Sequence, residues 1–114
     1  MPYLKIQTNQ PLDESSQREL LKKASALVAE QLGKPENYVM VTVQPAQAML
    51  FAGTDSPLAY LELKSIGLPA AATPALSQSL CTLMAQELGI DQNRTYIEFS
   101  DAPRAMWGWN GGTF

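Results

Sequence analysis

Apolar positions along the chain recur with two different spacings. In segments 20–32 and 76–88 they fall every three or four residues, which is the spacing of one face of an α-helix. Other segments alternate apolar and polar residues or are rich in β-branched and aromatic side chains, which is typical of strands. The predicted strands are 2–8, 38–44, 58–64 and 95–100, with a further short strand near 47–51.

The two halves of the chain are similar to each other at a constant offset. Leu32 and Gly33 fall on Leu88 and Gly89, and the apolar positions of the two predicted helices coincide as well. Each half therefore reads as strand, helix, strand, and an internal repeat of this size indicates a duplicated β-α-β unit. The single domain 1–114 divides into pseudo-repeats 1–51 and 57–102 and a C-terminal tail 103–114.

Capping residues mark the ends of both predicted helices. Gly33 and Gly89 follow the last apolar residue of each stripe, where a left-handed C-cap is expected. Helix starts are predicted at Asp13 or Ser15–Ser16 and at Thr73–Pro74. Two β-α-β units with one apolar stripe per helix predict an α+β fold, in which two antiparallel helices cover one face of a four-stranded mixed sheet.

The other face of this sheet has no helix to cover it. Its outward positions include apolar residues, so we expect a large exposed patch and self-association through the sheet. The tail Trp107–Phe114 is rich in aromatic residues and glycine, although chain ends usually fray. We therefore expect the tail to dock on a neighbouring subunit.

Composition and charge exclude several classes of protein. With 46% hydrophobic and 17% charged residues, the chain of 114 residues can bury a core. Its net charge of -3 disfavours binding to nucleic acid or to an anionic membrane. The amino terminus has neither a basic region nor an apolar stretch of the kind found in signal peptides, so we expect a cytoplasmic location without membrane attachment.

The residue counts also restrict the chemistry. There is no histidine and only one cysteine, Cys81, so Ser/His and Cys/His nucleophile pairs, histidine-ligated zinc and intramolecular disulfides are excluded. We expect neither a metal nor a cofactor. Cys81 flanks an apolar helical stripe, where a free cysteine is usually buried packing. Acid–base work would fall to a carboxylate, a lysine, a tyrosine, the thiol or the terminal amine.

The N-terminal dipeptide Met1–Pro2 offers one such base. A small second residue normally permits removal of the initiator methionine, which would leave Pro2 with a free secondary amine. Burial or a nearby lysine would lower the pKa of that amine and make it neutral at pH 7. The alternative is an exposed, processed terminus without a role. Pro2 leads directly into the first predicted strand, which places the amine at a sheet end.

Several short motifs, in their order and spacing, resemble the macrophage migration inhibitory factor and D-dopachrome tautomerase family of the tautomerase superfamily. The resemblance covers essentially the whole chain and implies a homotrimer whose sheets form a central barrel. The matching residues are Met1–Pro2, Thr8–Asn9, Pro11, Gly33–Pro35, Tyr38, Ser65–Gly67, Leu80–Cys81, Tyr96–Ile97, Asp101, Gly108–Asn110 and Thr113–Phe114.

The resemblance also implies a function and a set of site residues. Pro2 would be the general base of a keto–enol tautomerase acting on aryl 2-keto acids such as phenylpyruvate. Lys34 would meet the substrate carboxylate, and the backbone N–H of Ile66 would contact it. Tyr96 would come from a neighbouring subunit, and Tyr38 would lie at the pocket rim. Taken without the family, Lys34 is a solvated lysine after a helix end, and the tyrosines are sheet packing.

Some positions depart from the family pattern. Glu98 replaces an asparagine and Trp107 replaces a small β-branched residue, both at positions that line the family pocket, so substrate preference and rate are open. Segment 58–61 lacks the cysteine pair of some relatives, which predicts no thiol oxidoreductase activity. The alternative function is a cytokine-like, protein-binding homologue with vestigial catalysis, for which the resemblance allows non-classical secretion and the sequence identifies no receptor.

Overall fold

Four strands form one mixed sheet in the computed structural model, which describes residues 1–114. The sheet order is β2-β1-β3-β4; β1 runs parallel to β2 and antiparallel to β3, and β3 runs parallel to β4. Each half of the chain is thus a parallel β-α-β unit, and the two units meet where β1 pairs with β3. The strands are β1 (Tyr3–Thr8), β2 (Met40–Gln44), β3 (Ala59–Ile66) and β4 (Thr95–Ala102).

Two helices, α1 (Glu14–Leu32) and α2 (Thr73–Leu88), pack on one face of this sheet. Burial alternates along the strands, so Leu4 and Ile6 of β1 are fully buried while their neighbours are not. The fold predicted from the repeat is therefore confirmed. The core includes Leu4, Ile6, Leu20, Ala24, Val28, Leu61, Leu63, Leu76, Leu80, Leu83 and Met84.

The helix ends agree closely with the capping residues. Asp13 is the N-cap of α1, and its Oδ1 accepts the Ser16 N–H at 2.7 Å, which lowers the pKa of the Asp13 carboxyl. Gly33 and Gly89 both adopt the left-handed conformation that a C-cap requires, with φ of 62° and 64°. The start of α2 has no side-chain cap, and Pro74 lies in its first turn.

The strand predicted near 47–51 is wrong. That segment contains no strand, and only an isolated bridge between Phe51 and Thr54 forms at its end. Left-handed backbone at Ala46 and Ala52 bends the chain at both ends of the segment. The apolar residues of this segment indicate a strand, but a strand also needs a neighbouring strand to pair with its backbone N–H and C=O groups, and this segment has none within the chain.

The sheet face without helices, here called the open face, is more polar than predicted. Its apolar exposure is concentrated at two ends, at Met40, which is 66% exposed, and at Tyr96, which is 65% exposed. Cross-strand contacts between polar side chains occupy much of the face between them, so no apolar patch covers it as a whole. These contacts are Lys5–Glu62 at 3.7 Å, Gln7–Gln44 at 2.8 Å and Tyr60–Glu98 at 2.8 Å.

The C-terminal tail forms a small hairpin of β5 (Gly108–Trp109) and β6 (Gly112–Thr113). Its turn has positive φ at both Asn110 and Gly111, 52° and 78°, as tight hairpins require. Trp109 stacks on Phe114 at 5.2 Å, and each of these rings lies nearly perpendicular to the Tyr38 ring. Within the chain, the turn thus packs these rings against Tyr38, and docking of the tail on a neighbouring subunit stays a prediction.

Cys81 is buried on α2, as its position beside the apolar stripe predicts. Neither helix combines the length and the apolar character needed to cross a membrane.

Candidate active site

A cavity of about 230 Å³ lies where β1 begins. The N-terminal residues and the tail hairpin both contribute to it, although they are far apart in sequence. Aromatic rings form much of its wall, and such walls suit a flat apolar group. Its lining includes Pro2, Tyr38, Trp107, Trp109 and Phe114.

Pro2 is held rigidly at the entrance to β1. Its ring is buried, and its carbonyl oxygen accepts the Met40 N–H at 3.0 Å. The Met1 ammonium donates to the Tyr38 carbonyl at 2.6 Å. The start of the chain is therefore ordered by contacts to the segment that precedes β2.

The surroundings of the terminal amine favour its neutral form. Partial burial, and after it the positive charge of Lys34, lower the pKa of the Met1 amine from its ordinary value of 8.0. Burial and the charge of Lys34 act on the start of the chain, and Pro2 is the next residue after Met1.

Lys34 joins the end of α1 to the end of β3. Its backbone N–H caps the helix by donating to the Ala29 carbonyl at 3.0 Å, and its Nζ donates to the Ile66 carbonyl at 2.8 Å. Ile66 itself is buried. Lys34 is thus tethered in place, and the interpretation of a freely solvated lysine after a helix end does not describe it.

Asp101 supports the turn that follows Ile66. Its Oδ1 accepts the Leu68 N–H at 3.0 Å, and the intervening Gly67 has a φ of 68°. Asp101 belongs to the motif match, but the sequence assigns it no role. Its contact fixes the backbone beside the carbonyl that holds Lys34.

Tyr96 and Glu98 lie away from this cavity within the chain. Tyr96 pairs in register with Tyr60, which is itself opposite Gln7, so the β1 backbone alone separates this pair from Pro2 by about 17 Å. A single chain therefore brings together Pro2, Tyr38, Trp107 and, through its charge, Lys34. It leaves Tyr96 at the other end of the sheet and Glu98 midway along the edge strand β4, two strands away from β1.

That other end contains a second cavity of about 350 Å³ with a wholly hydrophobic lining. Tyr96 lies there with its ring 4.5 Å from that of Phe51. Glu98, on the adjoining part of the open face, accepts the Tyr60 hydroxyl at 2.8 Å. This bond to a carboxylate, more than burial, raises the pKa of Tyr60 to about 12.

Arg94 organises this second cavity, and the sequence gives no signal for it. Its guanidinium lies 5.2 Å from the centre of the Phe51 ring and donates to four backbone carbonyls of the loop before β3. One fork-shaped side chain thereby fixes a whole loop. The accepting oxygens are those of Phe51 at 3.0 Å, Thr54 at 3.2 Å, Ser56 at 3.0 Å and Pro57 at 3.1 Å.

No group of three or more His, Cys, Asp and Glu side chains is arranged to hold a metal ion. The chemistry available at the first cavity is that of an amine, an ammonium group and aromatic walls. Such a site can bind a carboxylate next to a flat apolar group and move a proton there.

Comparison with known proteins identifies relatives along the entire chain. The family model for macrophage migration inhibitory factor (MIF) matches residues 1–114. A macrophage migration inhibitory factor homolog of Brugia malayi is 45% identical over 115 residues, covering 100% of this chain and 99% of that protein. The Mus musculus macrophage migration inhibitory factor is 38% identical, with the same coverage.

Solved structures of homologues have the same fold. The crystal structure of a macrophage migration inhibitory factor homologue from Prochlorococcus marinus has a TM-score of 0.93 and 42% identity, and covers 98% of each chain. The Trichinella spiralis macrophage migration inhibitory factor has a TM-score of 0.90 and 33% identity, covering 98% of this chain and 99% of that one.

Proposed function

The chain belongs to the macrophage migration inhibitory factor family, and we propose that it is a keto–enol tautomerase with the Pro2 amine as its general base. Family membership supports a tautomerase-type isomerase in general terms. The proposal adds the base, the removal of Met1 that exposes it, and a substrate class, the aryl 2-keto acids of the phenylpyruvate type.

The observation that carries this proposal is the environment of the N-terminal amine. Burial and Lys34 both disfavour a positive charge there, so an amine at this place is available as a base near neutral pH. The Pro2 ring is fixed by its own burial and by the Met40 N–H bond to its carbonyl. A fixed base needs less ordering in the transition state.

The remaining residues of the first cavity would bind and orient the substrate. The Lys34 ammonium has three N–H donors and gives one to Ile66, which leaves two for a substrate carboxylate. The rings of Tyr38, Trp107 and Phe114 would hold the aryl group. Charge recognition at one end and aromatic packing at the other fit an aryl 2-keto acid.

The reaction moves a proton within one molecule. The neutral Pro2 amine takes a proton from the carbon next to the keto group, the electron pair of the broken C–H bond forms the enol double bond, and the keto oxygen becomes protonated. In the opposite direction the amine removes the enol hydroxyl proton and the carbon is protonated. Substrate and product have the same atoms and electron count, so the step needs no redox cofactor.

We further propose a homotrimer in which Tyr96 and Glu98 of a neighbouring subunit complete the cavity. The exposed apolar residues support this, because they lie in two separate regions. Met40 and Met106 lie near the first cavity, whereas Leu50 and Tyr96 lie at the second. Two different patches on one chain suit a head-to-tail contact, and such contacts produce a closed ring when the rotation between subunits closes.

A chain that retains Met1 tests the proposed base. Retention turns the Pro2 nitrogen into a tertiary amide without useful basicity, so phenylpyruvate turnover is expected to fall by ~10²–10⁴-fold. Intact mass distinguishes the two forms, and circular dichroism and light scattering check that fold and assembly are unchanged. Pro2→Gly is the matched variant, because it keeps a basic N-terminal amine, primary instead of secondary, and it should lose less.

Undiminished turnover by the Met1-retaining chain would exclude Pro2 as the base. Absence of turnover in the processed chain that begins with Pro2 would instead favour the cytokine-like, protein-binding role.

A further inference from the structure

A larger cleft, distinct from the second cavity at Tyr96, adjoins the first cavity on the open face. This outer cleft has a volume of about 490 Å³ and shares Tyr3, Met40, Trp107 and Gly108 with the first cavity. The two therefore adjoin each other at these four residues and are together called the groove. The outer cleft adds two residues of its own, Lys64 and Met106.

Lys64 is the charged residue of this otherwise uncharged lining. No carboxylate lies within 4.0 Å of its ammonium group, whereas Lys5, on the same face, is paired with Glu62 at 3.7 Å. Glu62 is the acidic residue nearest in the strand and is already engaged. Within its own chain, Lys64 thus presents a positive charge without a carboxylate partner beside apolar and aromatic side chains, a setting that attracts anions.

The position of Lys64 relates it to the proposed substrate site. It pairs in register with Tyr3, the residue after Pro2, and it precedes by two residues the Ile66 carbonyl that holds Lys34. Side chains alternate along a strand, so Lys64 projects onto the open face, as do Glu62 and Tyr60 before it. Both lysines are therefore near the same end of β3, Lys34 through its Nζ bond to the Ile66 carbonyl and Lys64 on the strand itself, in the outer cleft.

We propose that Lys64 forms a second anion subsite, and that the preferred substrates are aryl 2-keto acids with a second anionic group on the ring. The proposal rests on the proposed function, because the keto acid end must occupy the first cavity near Lys34. An aryl ring packed against Trp107 then directs its far substituent into the outer cleft, where the Lys64 ammonium binds a carboxylate.

Two analogues of phenylpyruvate test this, one with a carboxylate and one with an uncharged carboxamide at the para position. Quenching of tryptophan fluorescence measures their binding directly, since Trp107 lines both parts of the groove, and this readout does not depend on turnover. Wild type should bind the carboxylate analogue about 2- to 5-fold more tightly than the carboxamide at low ionic strength, and added salt should reduce the difference.

In the Lys64→Met variant, which keeps the side-chain length without the charge, this preference is expected to disappear. Lys22→Met removes an exposed lysine of α1 instead, and this control variant should retain the preference for the carboxylate analogue. The same preference in Lys64→Met as in wild type would overturn the proposal, and so would an equal loss of affinity for both analogues. A failure of Pro2 as base would instead appear only in turnover, leaving the binding ratios as they are.

Discussion

At the scale of single residues, one hydrogen bond changes the role that can be assigned to Lys34. Its position after a helix C-cap indicates an ordinary solvated lysine that interacts with the helix dipole. The hydrogen bond to the Ile66 carbonyl instead holds the ammonium group near the chain start, where its charge lowers the pKa of the terminal amine. In the proposed mechanism, the Lys34 ammonium group both lowers the pKa of the base and binds the substrate carboxylate.

Lys34→Ala is therefore expected to affect the pH profile and the substrate affinity together. Without the nearby cation, the protonated amine is less disfavoured, so the amine pKa rises and the lower limb of the kcat/KM profile moves to higher pH. KM for phenylpyruvate should also rise, because a charge-assisted contact to the carboxylate is lost. Steady-state rates between pH 5 and 9 measure both effects.

Lys22→Ala, which removes a lysine remote from the cavity, is the control and should leave the profile in place. A Lys34→Ala enzyme with an unshifted lower limb would contradict the electrostatic role of Lys34. In that case burial alone would account for the lowered pKa of the amine.

At the scale of elements, the loop before β3 is held by a residue of another segment. Arg94 precedes β4, yet it donates to four carbonyls of the loop 51–57 and covers the Phe51 ring. The loop contributes Phe51 to the contact with Tyr96. Arg94 therefore orders the part of the chain that the proposed trimer presents to a neighbour.

Arg94→Lys should loosen this loop, because an ammonium group cannot reproduce the planar fork that spans the four carbonyls. The loss of two or so hydrogen bonds is expected to lower the free energy of unfolding by about 1–3 kcal/mol. Urea denaturation measures that change, and amide hydrogen exchange should be faster in residues 51–57 than in the wild type. Arg18→Lys, at an exposed pair on α1, should change stability by less than about 0.5 kcal/mol.

Unchanged exchange in residues 51–57 of the Arg94→Lys protein would show that the loop is ordered by its own turn. The left-handed residues Ala52 and Gly53 would then suffice to hold its shape.

At the scale of the whole molecule, the candidate site residues occupy two ends of one sheet. Pro2 and the aromatic tail lie at one end, Tyr96 lies at the other, and Glu98 lies midway along the edge strand β4. No rearrangement of a single rigid sheet could join them. The proposed trimer resolves this, because the second cavity of one subunit would face the first cavity of the next.

Light scattering should accordingly report a particle of three times the 12.4 kDa chain mass in dilute solution. Tyr96→Ala and the Met1-retaining chain should each be impaired alone. Mixed oligomers assembled from both should recover activity, since some pockets would then combine an intact Pro2 with an intact Tyr96. A stable monomer with full activity would contradict the shared site, as would mixtures without recovery.

The sequence by itself determined the features that depend on local spacing. Helical periodicity, alternation along the strands and the glycines at 33 and 89 predicted the duplicated β-α-β fold, and the structure agrees within a few residues at each boundary. Pro2 at the entrance to a strand also followed from its neighbours in the chain. These properties arise from residues close in sequence, whose backbone geometry their own side chains restrict.

Only the tertiary structure decided the contacts between distant segments. The Lys34–Ile66 bond, the four carbonyls bound by Arg94 and the return of the tail to Tyr38 join residues that no local pattern relates. The polar contacts on the open face and the missing strand at 47–51 likewise depend on which segments become neighbours. Hydrogen bonds and charge pairs require particular atoms to meet, and where they meet is set by the packing of the whole chain.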